Sequence, residues 1–256
     1  MRELKESWEF AVVGIANYRK TGWNCDKYLE FIKKNHDKLP GDLVECGVYR
    51  GNTLLAVAML LKELGSDKHV WGYDTFSGFP PVYAPEDKLE KFDELLAGGV
   101  VTQEHYDQAM RNLKLREYMV GAPINAGNIS TSGAFTQTSE EIIRHKAEYL
   151  GLDNFTLMPG CFGDTMKVDS TNGPKEIFAC LMDCDLYQSH MDALPFAWDR
   201  LVPGGLIFLD EYYSLKFPGA RIAINSFFKD KADQPELLEH LPTEFERWGV
   251  RKIHSS

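Results

Sequence analysis

Acidic residues follow two apolar runs of the chain with the spacing of a metal or acid–base site. Asp183 and Asp185 are two residues apart at the end of one run, and Asp210 and Glu211 end the next. Alternate residues of a strand point to the same side, and converging carboxylates raise one another's pKa. A hard divalent cation such as Mg²⁺ removes that repulsion and keeps positions for substrate oxygens. The pattern predicts a magnesium site, although strand-end acids also serve as helix caps or solvated loop residues.

A glycine-bearing loop earlier in the chain has the pattern of a nucleotide site. Glu45 and Gly47 end an apolar run, Gly51 precedes a helical pattern, and Asp74 ends the next run, where an acid accepts hydrogen bonds from ribose hydroxyls. The G-x-G-x-x-G and P-loop spacings are absent. Glu45 suits the ammonium group of S-adenosylmethionine better than a pyrophosphate. The loop therefore favours that cofactor, with an ordinary tight strand-to-helix turn as the alternative.

A third loop contains a plausible adenine contact pair. Phe162 and Asp164 follow another apolar run. An adenine ring packs on an apolar wall, and its amino group needs an acceptor, which these two side chains offer. A surface loop with one buried phenylalanine explains the same spacing equally well.

These loops need strands and helices to position them. Apolar runs predict five strands at 43–46, 69–74, 154–158, 177–183 and 206–210. Helical patterns alternate with them at 52–64, 138–150, 190–201 and 219–228, with Pro195 expected to kink or shorten the third. This alternation predicts an α/β fold with a doubly wound, mostly parallel sheet, and such sheets bind ligands beyond the carboxyl ends of their strands.

The remaining segments complete a prediction of one domain over residues 1–256. Residues 1–40 show the spacing of two N-terminal helices, and 245–253 suits antiparallel edge strands. Residues 76–137 contain many Gly and Pro breakers and are expected to be irregular. We expect 81–150 to form a variable segment that closes over a substrate.

Composition excludes several functional classes. The 256 residues include 28 Lys+Arg and 38 Asp+Glu, so the net charge is −10, which argues against a nucleic-acid partner. No apolar run is long enough for a membrane span, and the first residues have no leader pattern. The five cysteines are an odd number, so we expect reduced thiols in a cytoplasmic protein.

Taken in order, the motifs resemble those of the TylF-like macrocin O-methyltransferase family of S-adenosylmethionine-dependent sugar O-methyltransferases. The matching pieces lie within residues 41–80 and 154–228. They are ECGVYRG from 45, DTFSGFP from 74, GCFGDT from 160, DCDLYQS from 183, PGG from 203, DEY from 210 and PGAR from 218. Each piece is unspecific alone, but their order is specific.

The resemblance implies a Rossmann-like class I methyltransferase fold that binds S-adenosylmethionine and Mg²⁺. It implies methyl transfer to a sugar hydroxyl of a nucleotide-linked sugar or a glycosylated natural product, by an enzyme that we expect to be a homodimer. Asp183, Asp210 and Glu211 match metal ligands, although many relatives have Asp where Glu211 stands. Asp185 matches the general base. His190 follows the same motif and is the next candidate for the base, although a helix cap or a supporting role behind the site is favoured for it. The candidate cofactor contacts are Glu45, Gly47, Tyr49, Gly51, Thr53, Asp74, Phe76, Ser77, Phe162, Asp164 and Asp183.

Two rival functions remain open on the sequence. A metal-dependent O-methyltransferase for catechols or other small-molecule hydroxyls would have the same motifs and differ in the variable segment. A non-catalytic nucleotide-binding module would tolerate the loss of Asp183 and Asp185, so their presence argues against it.

Overall fold

The computed structural model describes residues 1–241 and 245–254. Its centre is a seven-stranded sheet in the order β3-β2-β1-β4-β5-β7-β6. The strands are β1 (Asp42–Cys46), β2 (Val70–Asp74), β3 (Phe155–Pro159), β4 (Ile177–Met182), β5 (Leu201–Leu209), β6 (Glu236–His240) and β7 (Glu246–Arg251). Strands β1 to β5 are parallel to one another, and β7 pairs antiparallel with both β5 and β6. The predicted doubly wound α/β fold is confirmed.

Helices cover both faces of the sheet. They are α1 (Ser7–Val13), α2 (Asp26–Asn35), α3 (Asn52–Glu63), α4 (Lys91–Ala97), α5 (Gln103–Val120), α6 (Glu140–Leu150), α7 (Phe162–Thr165), α8 (Tyr187–Arg200) and α9 (Pro218–Phe228). Side chains alternate across each strand. Leu43 and Leu181 therefore pack toward α2, α3 and α6, whereas Val44 and Met182 pack toward α8 and α9.

Most predicted elements agree with the structure within a few residues, with shifts at two helices. Pro195 lies inside α8 without ending it, and that helix begins at Tyr187, earlier than predicted. Ser139 caps α6 by accepting a hydrogen bond from the Ile142 amide, while the Thr138 hydroxyl bonds the Tyr49 carbonyl instead. The predicted strand at 206–210 extends back to Leu201.

The prediction that residues 76–137 are irregular is wrong. This range contains α4 and the 18-residue α5, which has Thr102 as its N-cap. Apolar residues of these helices and the following loop form a separate cluster that packs against Leu186 and Phe217. The helical pattern was hard to see because α5 buries little beyond His105 and Ala109. In the part of the chain that the structure describes, no helix is long and apolar enough to cross a membrane.

Candidate active site

The carboxyl edge of the parallel strands concentrates unusual backbone conformations. Tyr49, Phe76 and Asp185 follow β1, β2 and β4, and all three have positive φ angles of 49°, 51° and 58°. This left-handed conformation costs non-glycine residues free energy, so it persists where the surrounding structure requires it, often at functional sites. The three loops are therefore held in fixed, strained shapes at one edge.

Gly47 allows two of these loops to approach closely. Its φ is 90°, and a Cβ atom built there would lie 1.7 Å from the Asp183 carbonyl oxygen. Its amide donates to the Tyr73 carbonyl at 2.9 Å. A glycine is needed here because the backbones after β1 and β4 touch. This contact places the glycine-bearing loop of residues 45–51 beside the acidic loop of residues 183–186.

A first cavity of about 660 Å³ opens at this edge. Its lining includes nine residues predicted from sequence: Glu45, Gly47, Tyr49, Thr53, Asp74, Ser77, Phe162, Asp183 and Asp185. The outer wall is apolar, with Phe79 and Phe135 in contact at a ring-centroid distance of 4.9 Å and Tyr83 packed on Phe79. A cavity of this size, apolar with a few converging polar groups, suits a small-molecule cofactor.

Asp74 organises the loops as well as facing the cavity. Its Oδ2 accepts hydrogen bonds from the amides of Val48 and Tyr49, both at 2.8 Å, and its Oδ1 accepts from the Phe76 amide at 2.7 Å. A carboxylate has about four acceptor positions, so capacity for a ligand hydroxyl remains. Asp74 thus fixes the strained loops whose backbones line the cavity.

Three carboxylates form a compact group beneath the acidic loop. Asp183, Asp185 and Glu211 each place one oxygen within 4.8 Å of the others, and the Asp185 amide donates to Glu211 Oε2 at 3.4 Å. Burial and then the charges of neighbouring acids raise the pKa of Asp183 and Glu211, and burial chiefly raises that of Asp185 to about 7. An all-oxygen set with uncompensated repulsion fits a hard divalent cation.

This group differs from the predicted ligand set of Asp183, Asp210 and Glu211. The structure brings Asp185, the predicted base, into the group and leaves Asp210 beside it. Asp210 is the second cause, after burial, of the raised pKa of Asp183, so its charge is nearby. The division of roles between Asp183 and Asp185 stays a prediction.

His190 is placed where a base could not reach an acceptor. Its side chain has no exposed surface and lines neither cavity. Its Nδ1 donates to the Leu186 carbonyl at 2.9 Å, and its Nε2 lies 3.8 Å from Glu211 Oε2. Burial lowers its pKa to about 4. This burial behind Glu211 argues against His190 as an alternative base, and its role stays a prediction.

Three predicted cofactor contacts lie outside the cavity lining. Gly51 begins α3 in the left-handed conformation with Ile143 packed against it, and Phe76 packs on the main apolar core. Asp164 is exposed on α7. Gly51 and Phe76 shape the loops, and neither reaches the cavity surface in this structure.

Sequence reasoning missed Asp87, which lies in the variable segment. This buried carboxylate lines the first cavity, and its Oδ1 accepts from the Tyr187 amide at the start of α8, at 2.8 Å. Burial raises its pKa. No motif surrounds it, and only the folding of residues 85–87 against α8 brings it beside Asp185.

A second cavity of about 410 Å³ lies on the other side of the acidic group. Asp210 and Glu211 line it, together with residues of α5, the segment after β5 and the start of β7. Asn24 lines both cavities. The carboxylate group therefore lines both cavities, through Asp183 and Asp185 in the first and Glu211 in the second, and residues of the variable segment contribute to both.

Comparison with known proteins agrees with this architecture. The model of the macrocin O-methyltransferase (TylF) family matches residues 24–122 and 124–242. The chain belongs to this family. The match includes every predicted site residue as well as α4 and α5, which the motif resemblance did not cover.

Curated relatives of this TylF-family chain are O-methyltransferases of natural-product pathways. It is 29% identical over 207 residues to mycinamicin III 3''-O-methyltransferase of Micromonospora griseorubida, which covers 79% of this chain and 66% of the relative. It is 29% identical over 179 residues to a rhamnosyl-tetracenomycin-C 4'-O-methyltransferase of Streptomyces olivaceus, covering 69% and 54%. The chain thus spans less than two thirds of the length of these relatives.

Solved structures show the same fold. The O-methyltransferase NovP superposes with a TM-score of 0.60 at 24% identity, covering 90% of this chain and 78% of NovP. The calicheamicin methyltransferase CalS11 gives a TM-score of 0.54 at 20% identity, covering 88% and 76%. The fold is therefore that of a class I methyltransferase.

Proposed function

We propose that this TylF-family protein is an S-adenosylmethionine-dependent O-methyltransferase that methylates a hydroxyl of a sugar-containing small molecule and requires Mg²⁺. The observation that carries the proposal is the position of the carboxylate group, between a cofactor-sized cavity and a second cavity. The names of the relatives, which describe methylation of glycosylated natural products, support the sugar acceptor.

The first cavity has the groups that an aminoacyl nucleoside needs. Glu45, which lines the base of this cavity and is 3% exposed, suits an ammonium group, while Asp74 suits ribose hydroxyls. Phe162 offers an apolar surface for adenine. S-adenosylmethionine supplies an electrophilic methyl group when bound, and Glu45, Asp74 and Phe162 orient it toward the acidic loop.

Asp183 and Glu211 would hold Mg²⁺, with Asp210 beside them. Their fit rests on the buried, mutually repelling oxygen set, which only protonation or a cation can neutralise. When bound, the ion supplies Lewis acidity toward the acceptor oxygens.

Asp185 accepts the proton of the reacting hydroxyl. Its pKa, raised to about 7 chiefly by burial, suits a general base at neutral pH. The left-handed backbone of Asp185 and the amide contact to Glu211 fix its position. The apolar wall of Phe79, Tyr83 and Phe135 excludes water, as expected of a substrate-covering segment.

Calorimetry and a methyl-transfer assay test this function. We expect S-adenosylhomocysteine to bind and NAD not to bind, because the pyrophosphate glycine spacing is absent. With labelled S-adenosylmethionine, methyl transfer should occur to a sugar panel, stop in EDTA and return with Mg²⁺. NAD binding without S-adenosylhomocysteine binding would overturn the proposed cofactor. Full activity in EDTA would overturn the proposed Mg²⁺ requirement. Methyl transfer to catechols alone would overturn the proposed sugar acceptor.

A further inference from the structure

The second cavity is where an acceptor would approach the carboxylate group without entering the cofactor cavity. Asp210 and Glu211 form part of its wall, while Asp183 and Asp185 line the first cavity. The proposed reaction joins a cofactor methyl group and an acceptor hydroxyl at this carboxylate group. If the remainder of the acceptor extends from there into the second cavity, whose wall includes Glu211, the chemistry of that wall reports the chemistry of the acceptor.

Three cationic side chains line this cavity, in a protein whose net charge is −10. They are Arg116 from α5, Lys216 from the segment after β5 and Arg247 from β7. Within residues 1–241 and 245–254, none of the three forms a salt bridge within 4.0 Å. Their charges therefore line one cavity together with the acidic residues Asp210 and Glu211.

The two acids of the cavity face the carboxylate group. Glu211 is a member of that group, and Asp210 acts on the pKa of Asp183. Lys216 lowers the pKa of both Asp183 and Asp185 by its charge, which places it at the same end. Glu239 lies opposite Arg247 in the pairing of β6 with β7, and among the described residues the Nε atoms of Arg116 and Arg247 have no hydrogen-bond partner.

One face of α5 builds this wall and fixes it to the segment after β5. His105 Nε2 donates to the Ser214 carbonyl at 2.7 Å, and Asn112 Nδ2 donates to the Leu215 carbonyl at 3.1 Å. Arg116 continues the same face one turn later, and its Nη2 donates to the Asn128 and Ser130 carbonyls at 2.8 and 3.0 Å. A carbonyl anchors a guanidinium without neutralising it, so Arg116 is oriented but still fully charged.

We infer that the acceptor carries an anionic group, a phosphoryl group or a carboxylate, which Arg116, Lys216 and Arg247 bind in the second cavity. This inference rests on the proposed function and narrows its substrate class from any sugar to an anionic sugar. Guanidinium groups bind both kinds of anion through paired hydrogen bonds, so both share one recognition chemistry.

Calorimetry on the full chain, loaded with S-adenosylhomocysteine and Mg²⁺, tests this inference. The probes are methyl α-glucoside, glucose 1-phosphate and methyl glucuronide, which present a neutral sugar, a phosphoryl group and a carboxylate. We expect at least one anionic probe to bind roughly 10-fold or more tightly than the neutral one, because a charge-assisted contact is about twice as strong as a neutral one. The preference should fall as ionic strength rises.

Variants assign the preference to the cavity. Lys216→Met and Arg247→Gln should each reduce the anionic preference several-fold and leave binding of S-adenosylhomocysteine unchanged. Arg251→Gln is the matched control, since Arg251 is on the same strand but exposed and paired with Glu236 at 3.2 Å. Arg116 is left intact because its carbonyl contacts also hold the loop.

The outcomes separate this inference from the proposed function. Equal affinity for neutral and anionic probes, no binding of either anionic probe, or an equal effect of Arg251→Gln would overturn the anionic acceptor. Each of these is read on protein that binds S-adenosylhomocysteine normally. Failure to bind S-adenosylhomocysteine would instead overturn the proposed function itself.

Discussion

The two cavities beside the carboxylate group are built in different ways. The first combines short loops after β1, β2, β3 and β4, where Gly47 and Asp74 fix the backbone, with residues of the variable segment such as Tyr83 and Phe135. The second is assembled from side chains that are far apart in sequence, on α5, the segment after β5 and β7. Local motifs therefore define the strand-end part of the first cavity, whereas tertiary packing defines its variable wall and the whole of the second cavity.

This difference explains why the sequence motifs pointed to the first cavity and gave no sign of the second. A loop that must hold a cofactor with its backbone constrains consecutive residues, which produces a readable motif. A wall made by one helical face constrains only every third or fourth residue, such as His105, Asn112 and Arg116. We expect the cofactor cavity to be sensitive to backbone changes and the acceptor cavity to charge changes.

The largest expected effect is at the acidic loop between the two cavities. Asp183→Asn should lose Mg²⁺ binding and methyl transfer together, because Mg²⁺ sites have few protein ligands. Asp185→Asn should keep Mg²⁺ binding and lose about 10²–10⁴-fold in turnover, the usual contribution of a general base. Metal titration and single-turnover rates measure the two properties separately.

An exposed carboxylate, Asp199, provides the control for these variants, since Asp199→Asn changes charge at the far end of α8. It should alter neither property. Loss of Mg²⁺ binding in Asp185→Asn would make Asp185 a ligand, as its place in the three-carboxylate group allows. An unchanged rate in that variant would remove it from the reaction.

The next largest effect tests the backbone sensitivity of the cofactor cavity. Gly47→Ala should destabilise the protein by about 2–5 kcal/mol, because steric overlap with the Asp183 carbonyl adds to the left-handed strain. Gly65→Ala is the control, because Gly65 also has a positive φ, of 65°, but its Cβ would meet nothing within 4 Å, so the change should cost only about 1–2 kcal/mol. Urea unfolding measures both, and equal losses would show that the approach to Asp183 is relaxed.

A smaller effect is expected where Asp74 links the loops to the ligand. Asp74→Ala should weaken binding of S-adenosylhomocysteine by about 1–3 kcal/mol, since it removes a hydrogen-bond partner from ribose and leaves buried amides unpaired. Asp74→Asn keeps one acceptor oxygen and should lie between Ala and wild type. Calorimetry measures the affinities, and an unaltered Kd in Asp74→Ala would exclude this contact.

The smallest effect is on stability without metal. In EDTA, Asp185→Asn should melt above wild type at pH 8, by roughly 2–4 °C for each kcal/mol of repulsion relieved. The pKa of Asp185 is about 7 when folded, above its unfolded value of about 3.9, so its contribution to stability is lost as pH rises between them. The difference in Tm should therefore shrink at pH 5. A difference independent of pH would show that charge is not its cause.

The sequence alone predicted the five parallel strands of the sheet, the loops that follow them in chain order, and nine residues that line the first cavity. It could do so because strand burial and turn chemistry act over a few neighbouring residues, as in Glu45 to Gly51. The homodimer and the role of residues 81–150 in covering a substrate stay predictions.

Only the tertiary structure decided which side chains meet across long separations. Asp185 joined Asp183 and Glu211 because β4 and β5 are adjacent and the Asp185 backbone is left-handed. His190 lies behind Glu211 because α8 directs that side chain into the core. The cations of the second cavity lie together because α5 packs on the segment after β5 through contacts such as His105 to Ser214. The composition of α5 had predicted irregular structure instead. Such placements depend on packing between distant elements, which no local pattern encodes.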